Sequence, residues 1–135
     1  DEMPIVVFAK AKKIKHEYED FASIMLGYKN DRVAIISSNW VTPKKLKKFN
    51  AVCTDAIISS DSITQETTIE KQDETEIIQN KKQESLQLEI QNFLGAIEGK
   101  NEHIIKSNEA VNVTKIAEAA LLSSQKGIPI YLDLK

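Results

Sequence analysis

The segment Ser38-Asn39-Trp40-Val41-Thr42-Pro43-Lys44 gathers the only tryptophan of the chain with an amide, a hydroxyl and an ammonium. Those groups together suit a sugar. A flat indole covers the apolar C–H face of the ring, and polar side chains around it hydrogen-bond the hydroxyls. Asn39, Trp40, Thr42 and Lys44 are therefore the candidate substrate-binding residues. A competing reading keeps Trp40 as a core anchor at the end of a strand and makes Asn39-Thr42-Pro43 a plain turn.

Other reactive residue types are sparse. His16-Glu17-Tyr18-Glu19-Asp20 is a dense polar cluster, and on a strand His16, Tyr18 and Asp20 would share one side. A metal or acid–base role is conceivable there, but a solvated hairpin end is the better expectation. His103 is expected on the surface between two helices, and neither histidine has H-E-x-x-H spacing. Cys53, the single cysteine, lies in an apolar strand pattern and reads as a buried, inert thiol. One cysteine rules out a disulfide framework or a multi-cysteine zinc site within the chain. The four glycines, Gly27, Gly95, Gly99 and Gly127, assemble into no G-x-G-x-x-G or Walker-type loop, so this segment is not expected to hold a dinucleotide alone. No catalytic residue and no metal ligand set is expected.

The elements that must position these residues change period along the chain. Pro4 to Ala9 opens a β-branched strand that continues to Ile14, and Glu19 to Tyr28 follows. Asn30-Asp31 is a turn signal before a strand over Arg32 to Trp40, making a hairpin. Further strands are expected over Leu46 to Thr54, Ile57 to Ser60 and Ile63 to Lys71, and residues 72–83 read as a loop or edge strand. Leu86, Ile90, Phe93, Leu94 and Ile97 then form a helical stripe, with Ser85 as N-cap and Gly99 as stop. A second helix opens at Ser107, with Val113, Ile116, Ala117, Ala120 and Leu121 on one face and Lys126-Gly127 at its end. Ile130-Tyr131-Leu132 suits a last short strand. Strands followed by two amphipathic helices predict an α+β single domain over residues 1–135, a mainly antiparallel open sheet with both helices packed on one face. The other face must then be wet, covered by another domain or paired with another subunit.

Composition narrows the partners. The 135 residues carry a net charge of −2, distributed as +4 over residues 1–50 and −6 over residues 51–135. The basic half, with Lys10 to Lys15 and Lys44 to Lys48, raises the question of nucleic acid. Aromatic residues at 6%, the absence of a stacking motif and a pI near 5.8 argue against it. No apolar run approaches the ~18 residues of a membrane span. The first residues, Asp1-Glu2-Met3-Pro4, show neither an initiator methionine nor a secretion signal, which suggests a processed or truncated cytoplasmic chain. The Asn112-Val113-Thr114 sequon falls in a helical pattern and is read as chance.

Read together, HEYEDFASIMLGYKNDRVAIISSNWVTPKKLKKF (His16 to Phe49) resembles the C-terminal domain of the glucose–fructose oxidoreductase/inositol dehydrogenase/MocA family. The likeness continues through AIISSDSITQETTI (Ala56 to Ile69), ESLQLEIQNFLGAIEGK (Glu84 to Lys100) and SNEAVNVTKIAEAALLSSQKGIPI (Ser107 to Ile130). It covers nearly the whole chain through the order and spacing of its segments. The family's tight glycine turn is replaced here by Thr54-Asp55-Ala56. The resemblance implies a dihydrodipicolinate-reductase-like α+β domain, paired in the full-length protein with a Rossmann domain that binds NAD or NADP. The family's E-K-P lysine and D-x-x-x-H histidine lie upstream of the matched region and have no counterpart here.

The resemblance also implies that Asn39, Trp40, Thr42 and Lys44 lie near substrate; the charge of Lys44 suits pairing with a sugar-nucleotide phosphate. The implied role is the substrate-binding and oligomerising part of an NAD(P)-dependent sugar or sugar-nucleotide dehydrogenase, a homo-oligomer through its open sheet face and inactive as this fragment. The alternative from another class is a stand-alone dimerisation or ligand-binding module with no catalysis.

Overall fold

The structure, a computed structural model, describes residues 2–79, 81–102 and 105–132. His103 lies outside them. The chain divides into two compact units, one containing residues 2–43 and 105–132 and the other residues 44–102.

In the first unit β1 (Val6–Lys12), β2 (Phe21–Gly27), β3 (Val33–Asn39) and β8 (Ile130–Tyr131) form an antiparallel sheet of order β3-β2-β1-β8. Helix α2 (Ser107–Lys126) packs on one face of it. Strand alternation decides which side chains meet the helix. Val7 and Ala9 of β1 and Leu26 of β2 point to it and are buried with Ala119 and Ala120. Small residues on both surfaces bring helix and sheet into close contact. The helix carries Glu109 in its first turn and Lys126 in its last, each matching the sign of the dipole at its end. It stops at Gly127, whose φ of 71° is easy only for a residue without Cβ.

Two serines seal the helix against β1. Strand β8 pairs only with Val6 and Val7, which leaves the N–H groups of Ala9 and Ala11 on that edge without a strand partner. Ser123 Oγ accepts from Ala9 N–H at 3.0 Å and donates to Ile128 C=O at 2.7 Å. Ser124 Oγ accepts from Ala11 N–H at 2.7 Å and donates to the Ala11 carbonyl at 3.2 Å. The helix thus replaces the missing strand, as buried backbone donors require.

The opposite face of this sheet is apolar and exposed toward its Gly27 end, and carries Lys10, Lys12, Ser23 and Ser37 toward the other. In the register Met25 lies opposite Ile35 and Phe8, and Gly27 lies between Val33 and Val6, whose other partner is Tyr131. Ile35 is 80% and Val33 61% exposed, and Met25 and Tyr131 are exposed as well.

The second unit is a meander of order β4-β5-β6-β7, from β4 (Lys48–Val52), β5 (Ile57–Asp61), β6 (Glu66–Glu70) and β7 (Thr75–Gln79), followed by α1 (Ser85–Ile97). Asp61 shapes the β5–β6 turn by accepting from the N–H of Ile63 at 2.8 Å and of Thr64 at 3.4 Å. The N–H of Ile63 is the main cause holding its carboxyl below the usual range; partial burial pushes the other way, and Thr64 and Lys48 add to the lowering. None of the described residues of this unit is buried, and the Leu86, Ile90, Phe93, Leu94 and Ile97 stripe of α1 stays exposed.

The α+β class and antiparallel pairing are as the sequence predicts. The finer architecture differs. Strands fall into two sheets rather than one, because no strand covers residues 40–47, where Pro43 has no N–H to offer a ladder. Only α2 buries residues on a sheet. Ser85 is the first helical residue of α1, and Glu84 supplies the cap by accepting from Leu86 N–H. Residues 72–83 include the true edge strand β7.

Replacing Ser123 with Ala removes two hydrogen bonds and strands the Ala9 N–H and Ile128 carbonyl. The expected cost is about 1–3 kcal/mol of stability, read from the urea midpoint. A loss below about 0.5 kcal/mol, the usual size for a neutral surface change, would contradict the sealing role.

Candidate functional site

The polar cluster is the loop of the β1–β2 hairpin, as expected, and Asp20 organises it. Its carboxylate accepts from the backbone N–H of Ile14 at 2.8 Å, Lys15 at 2.7 Å and His16 at 3.1 Å. It also meets His16 Nδ1 at 3.0 Å. The side chain of Asp20 is only 3% exposed, while that of His16 is 53% exposed. Burial pushes the Asp20 carboxyl up, but the N–H donors of Lys15 and Ile14, the His16 ring and the His16 N–H outweigh it together and hold Asp20 at about 2 rather than 3.8. Asp20 is therefore an ionised acceptor, and His16 Nδ1 must be the donor in their contact.

The same residue ties this loop to the candidate segment. Asp20 N–H donates to Lys12 C=O at 3.1 Å, and Trp40 N–H donates to Asp20 C=O at 2.9 Å. The Trp40 and His16 rings meet edge to face, with centroids 6.5 Å apart and planes at 82°. Asn39 Oδ1 accepts from Thr42 N–H at 3.0 Å, which closes the turn after β3. Asp20, Phe21, Ser38, Asn39 and Trp40 line an open cavity of about 260 Å³.

Trp40 is 86% exposed, so it does not anchor the core. Asn39, Trp40 and Thr42 are brought together in the first unit, whereas Lys44 is an exposed residue that begins the second. Cys53 is also exposed, contrary to the buried thiol that its apolar neighbours suggested. Strand β4 ends at Val52, and Cys53 N–H donates to Ala56 C=O at 2.9 Å in the turn that follows. That turn contributes to a larger hollow of about 720 Å³ between Val52–Ile57 and Glu70–Glu74, remote in sequence from the Trp40 segment. Sequence reasoning grouped His16 with Asp20 in one polar cluster but did not expect Asp20 to be buried and to hold the His16 ring. Among the described residues no three of His, Cys, Asp and Glu gather as a metal site, and no helix is long and apolar enough to cross a membrane.

No protein-family profile matches the sequence, and no curated protein does. Solved structures do match. The chain is similar to an aldose–aldose oxidoreductase of Caulobacter crescentus over 97% of its own length and 42% of that chain, with TM-score 0.80 and 14% identity. It is similar to the UDP-N-acetylglucosamine 3-dehydrogenase GnnA of Acidithiobacillus ferrooxidans over 92% of its length and 40% of that chain, with TM-score 0.74 and 21% identity. An oxidoreductase of Agrobacterium radiobacter, solved with NAD+, L-tartaric acid and magnesium, matches 96% of the chain and 43% of its own, with TM-score 0.75 and 16% identity. At these identities the likeness is one of fold. The chain shares its fold with part of each of these proteins and spans about two-fifths of their length.

Because Asp20 titrates lower folded than unfolded, its ionised form stabilises the fold above pH ~4, and that contribution is lost as pH falls through about 2. The urea midpoint of the wild type should therefore fall more steeply between pH 4 and 2 than that of Asp20→Asn. Parallel profiles for the two proteins would contradict the role given to this carboxylate.

Proposed function

We propose that this chain is the C-terminal, substrate-binding and oligomerising domain of an NAD(P)-dependent dehydrogenase acting on a sugar or sugar nucleotide. The observation that carries the reading is a fold shared over nearly the whole chain with a sugar-nucleotide dehydrogenase and an aldose–aldose oxidoreductase. The exposed indole of Trp40, flanked by the oriented amide of Asn39, gives that fold a surface suited to a pyranose. Thr42 completes the proposed contact set of the first unit.

The dinucleotide itself does not fit this chain. Gly27 ends β2, Gly95 lies inside α1, and Gly99 and Gly127 follow the ends of the helices. None stands between a strand and the N-terminus of a helix, where a backbone cradle for pyrophosphate would have to form. In this reading a separate domain of the intact protein supplies NAD or NADP and the hydride, and the described residues contribute substrate orientation.

The apolar face built from Val33, Ile35, Met25 and Phe8 is the proposed contact with a second copy of the chain. The same face also suits a second reading, a stand-alone dimerisation module without catalysis. The reading frame of the gene separates them: the dehydrogenase requires an upstream G-x-G-x-x-G domain, and its absence would leave the module.

Two substitutions test the parts. Trp40→Ala in the intact protein should raise the sugar KM by about tenfold or more while shifting stability by less than about 0.5 kcal/mol, since the indole is exposed. Unaltered sugar kinetics would remove Trp40 from the site. Ile35→Glu should shift the light-scattering mass of the intact protein toward monomer, because a charge would be buried without a partner. An unchanged mass would rule out this face as the interface.

A further inference from the structure

The His16 ring meets the Trp40 ring, and the proposed contact set does not use His16. The loop that carries it is built to hold it still. Three backbone N–H groups and the Nδ1 atom of the imidazole converge on one carboxylate, and the carbonyl of the same residue fixes the Trp40 backbone. A solvated hairpin end needs none of this ordering, and fixing a loop costs conformational entropy.

The consequence for His16 is chemical. With Nδ1–H donated to Asp20, the neutral ring is locked in one tautomer, and Nε2 carries the free lone pair. That nitrogen is an acceptor on a half-exposed ring edge-on to an indole. Asn39, whose Oδ1 accepts from Thr42 N–H, keeps two amide hydrogens as donors and lines the same cavity as Trp40. An apolar plate with a fixed acceptor and a fixed donor near it matches a ring that has C–H faces and hydroxyl edges.

We infer that His16 is a further sugar-binding residue, accepting a hydroxyl hydrogen bond at Nε2 from a pyranose stacked on Trp40, with Asp20 as the positioning residue that sets its tautomer. This rests on the reading of the segment as a sugar site, and it adds a residue and a directional contact to it. Glu17, Glu19, Lys13 and Lys15 share the loop and bear charge, but an uncharged hydroxyl is indifferent to their sign. The shared chemistry is the pyranose, whether it arrives free or as a sugar nucleotide.

Asp20, His16, Asn39 and Trp40 all lie in the first unit, so the 135-residue chain suffices for the test, and Trp40 is its only tryptophan. Two titrations are run, one with methyl β-D-glucopyranoside and one with UDP-glucose. Tryptophan emission reports occupancy, and the 15N resonances of the two histidine rings report their nitrogens. The expected result is a change in Trp40 emission with at least one probe, together with a shift of His16 Nε2 while His103 stays fixed. His16→Ala should then weaken binding about tenfold, and His16→Gln, which keeps an acceptor, should recover part of it. Emission that responds while His16 Nε2 does not move and His16→Ala binds normally overturns this inference alone. Emission unmoved by both probes overturns the inference and the sugar reading together.

Discussion

A single buried carboxylate organises the region on which the functional reading depends. Asp20 stands at the entry to β2, and its side chain collects the backbone of the β1–β2 loop while its main chain joins Lys12 to Trp40. The ends of three strands and the indole meet around one charged group. Its low pKa has the same origin as this geometry: donors that favour the ionised form also hold the loop in one conformation. Without them, Trp40 would be an exposed aromatic on a loose strand end rather than a ring with a fixed neighbour.

Packing gives that region a stable base. The first unit buries its core between β1, β2 and α2 with residues no larger than leucine, and Ser123 and Ser124 satisfy the edge that the two-residue β8 cannot reach. The second unit has ladders and turns but no buried residue among those described, and it exposes both Phe49 and the apolar stripe of α1. Apolar surface on that scale is costly to leave in water. The chain spans about two-fifths of the structural relatives it matches.

Much of this was legible in the sequence because it is governed by local rules. Alternation set the strands of both units, Asn30-Asp31 marked the β2–β3 turn, where Asp31 takes a positive φ, and Gly127 ended α2. What escaped was set by contacts distant in sequence or by a single side chain. Glu84 outcompeted Ser85 as the cap of α1 because its carboxylate reaches Leu86 N–H. The apolar run around Cys53 ended in a turn at Val52, which left the thiol exposed. His16 to Asp20 read as a hairpin end, and they do lie between β1 and β2; the burial of Asp20 and its contact with His16 were not visible. Trp40 was singled out by its neighbours, and sequence alone left its burial open; it is exposed. The gap between the two sheets follows Pro43, whose effect on pairing was visible while the division into separate units was not.

The central claim is that Trp40 is where this domain meets a sugar. The most direct measurement is a crystal structure of the intact protein with its nicotinamide cofactor and a bound sugar or sugar nucleotide. The account predicts the pyranose ring lying against the indole of Trp40, within hydrogen-bonding reach of Asn39. A sugar bound in a pocket that leaves Trp40 in solvent, or Trp40 covered by another subunit, would contradict it.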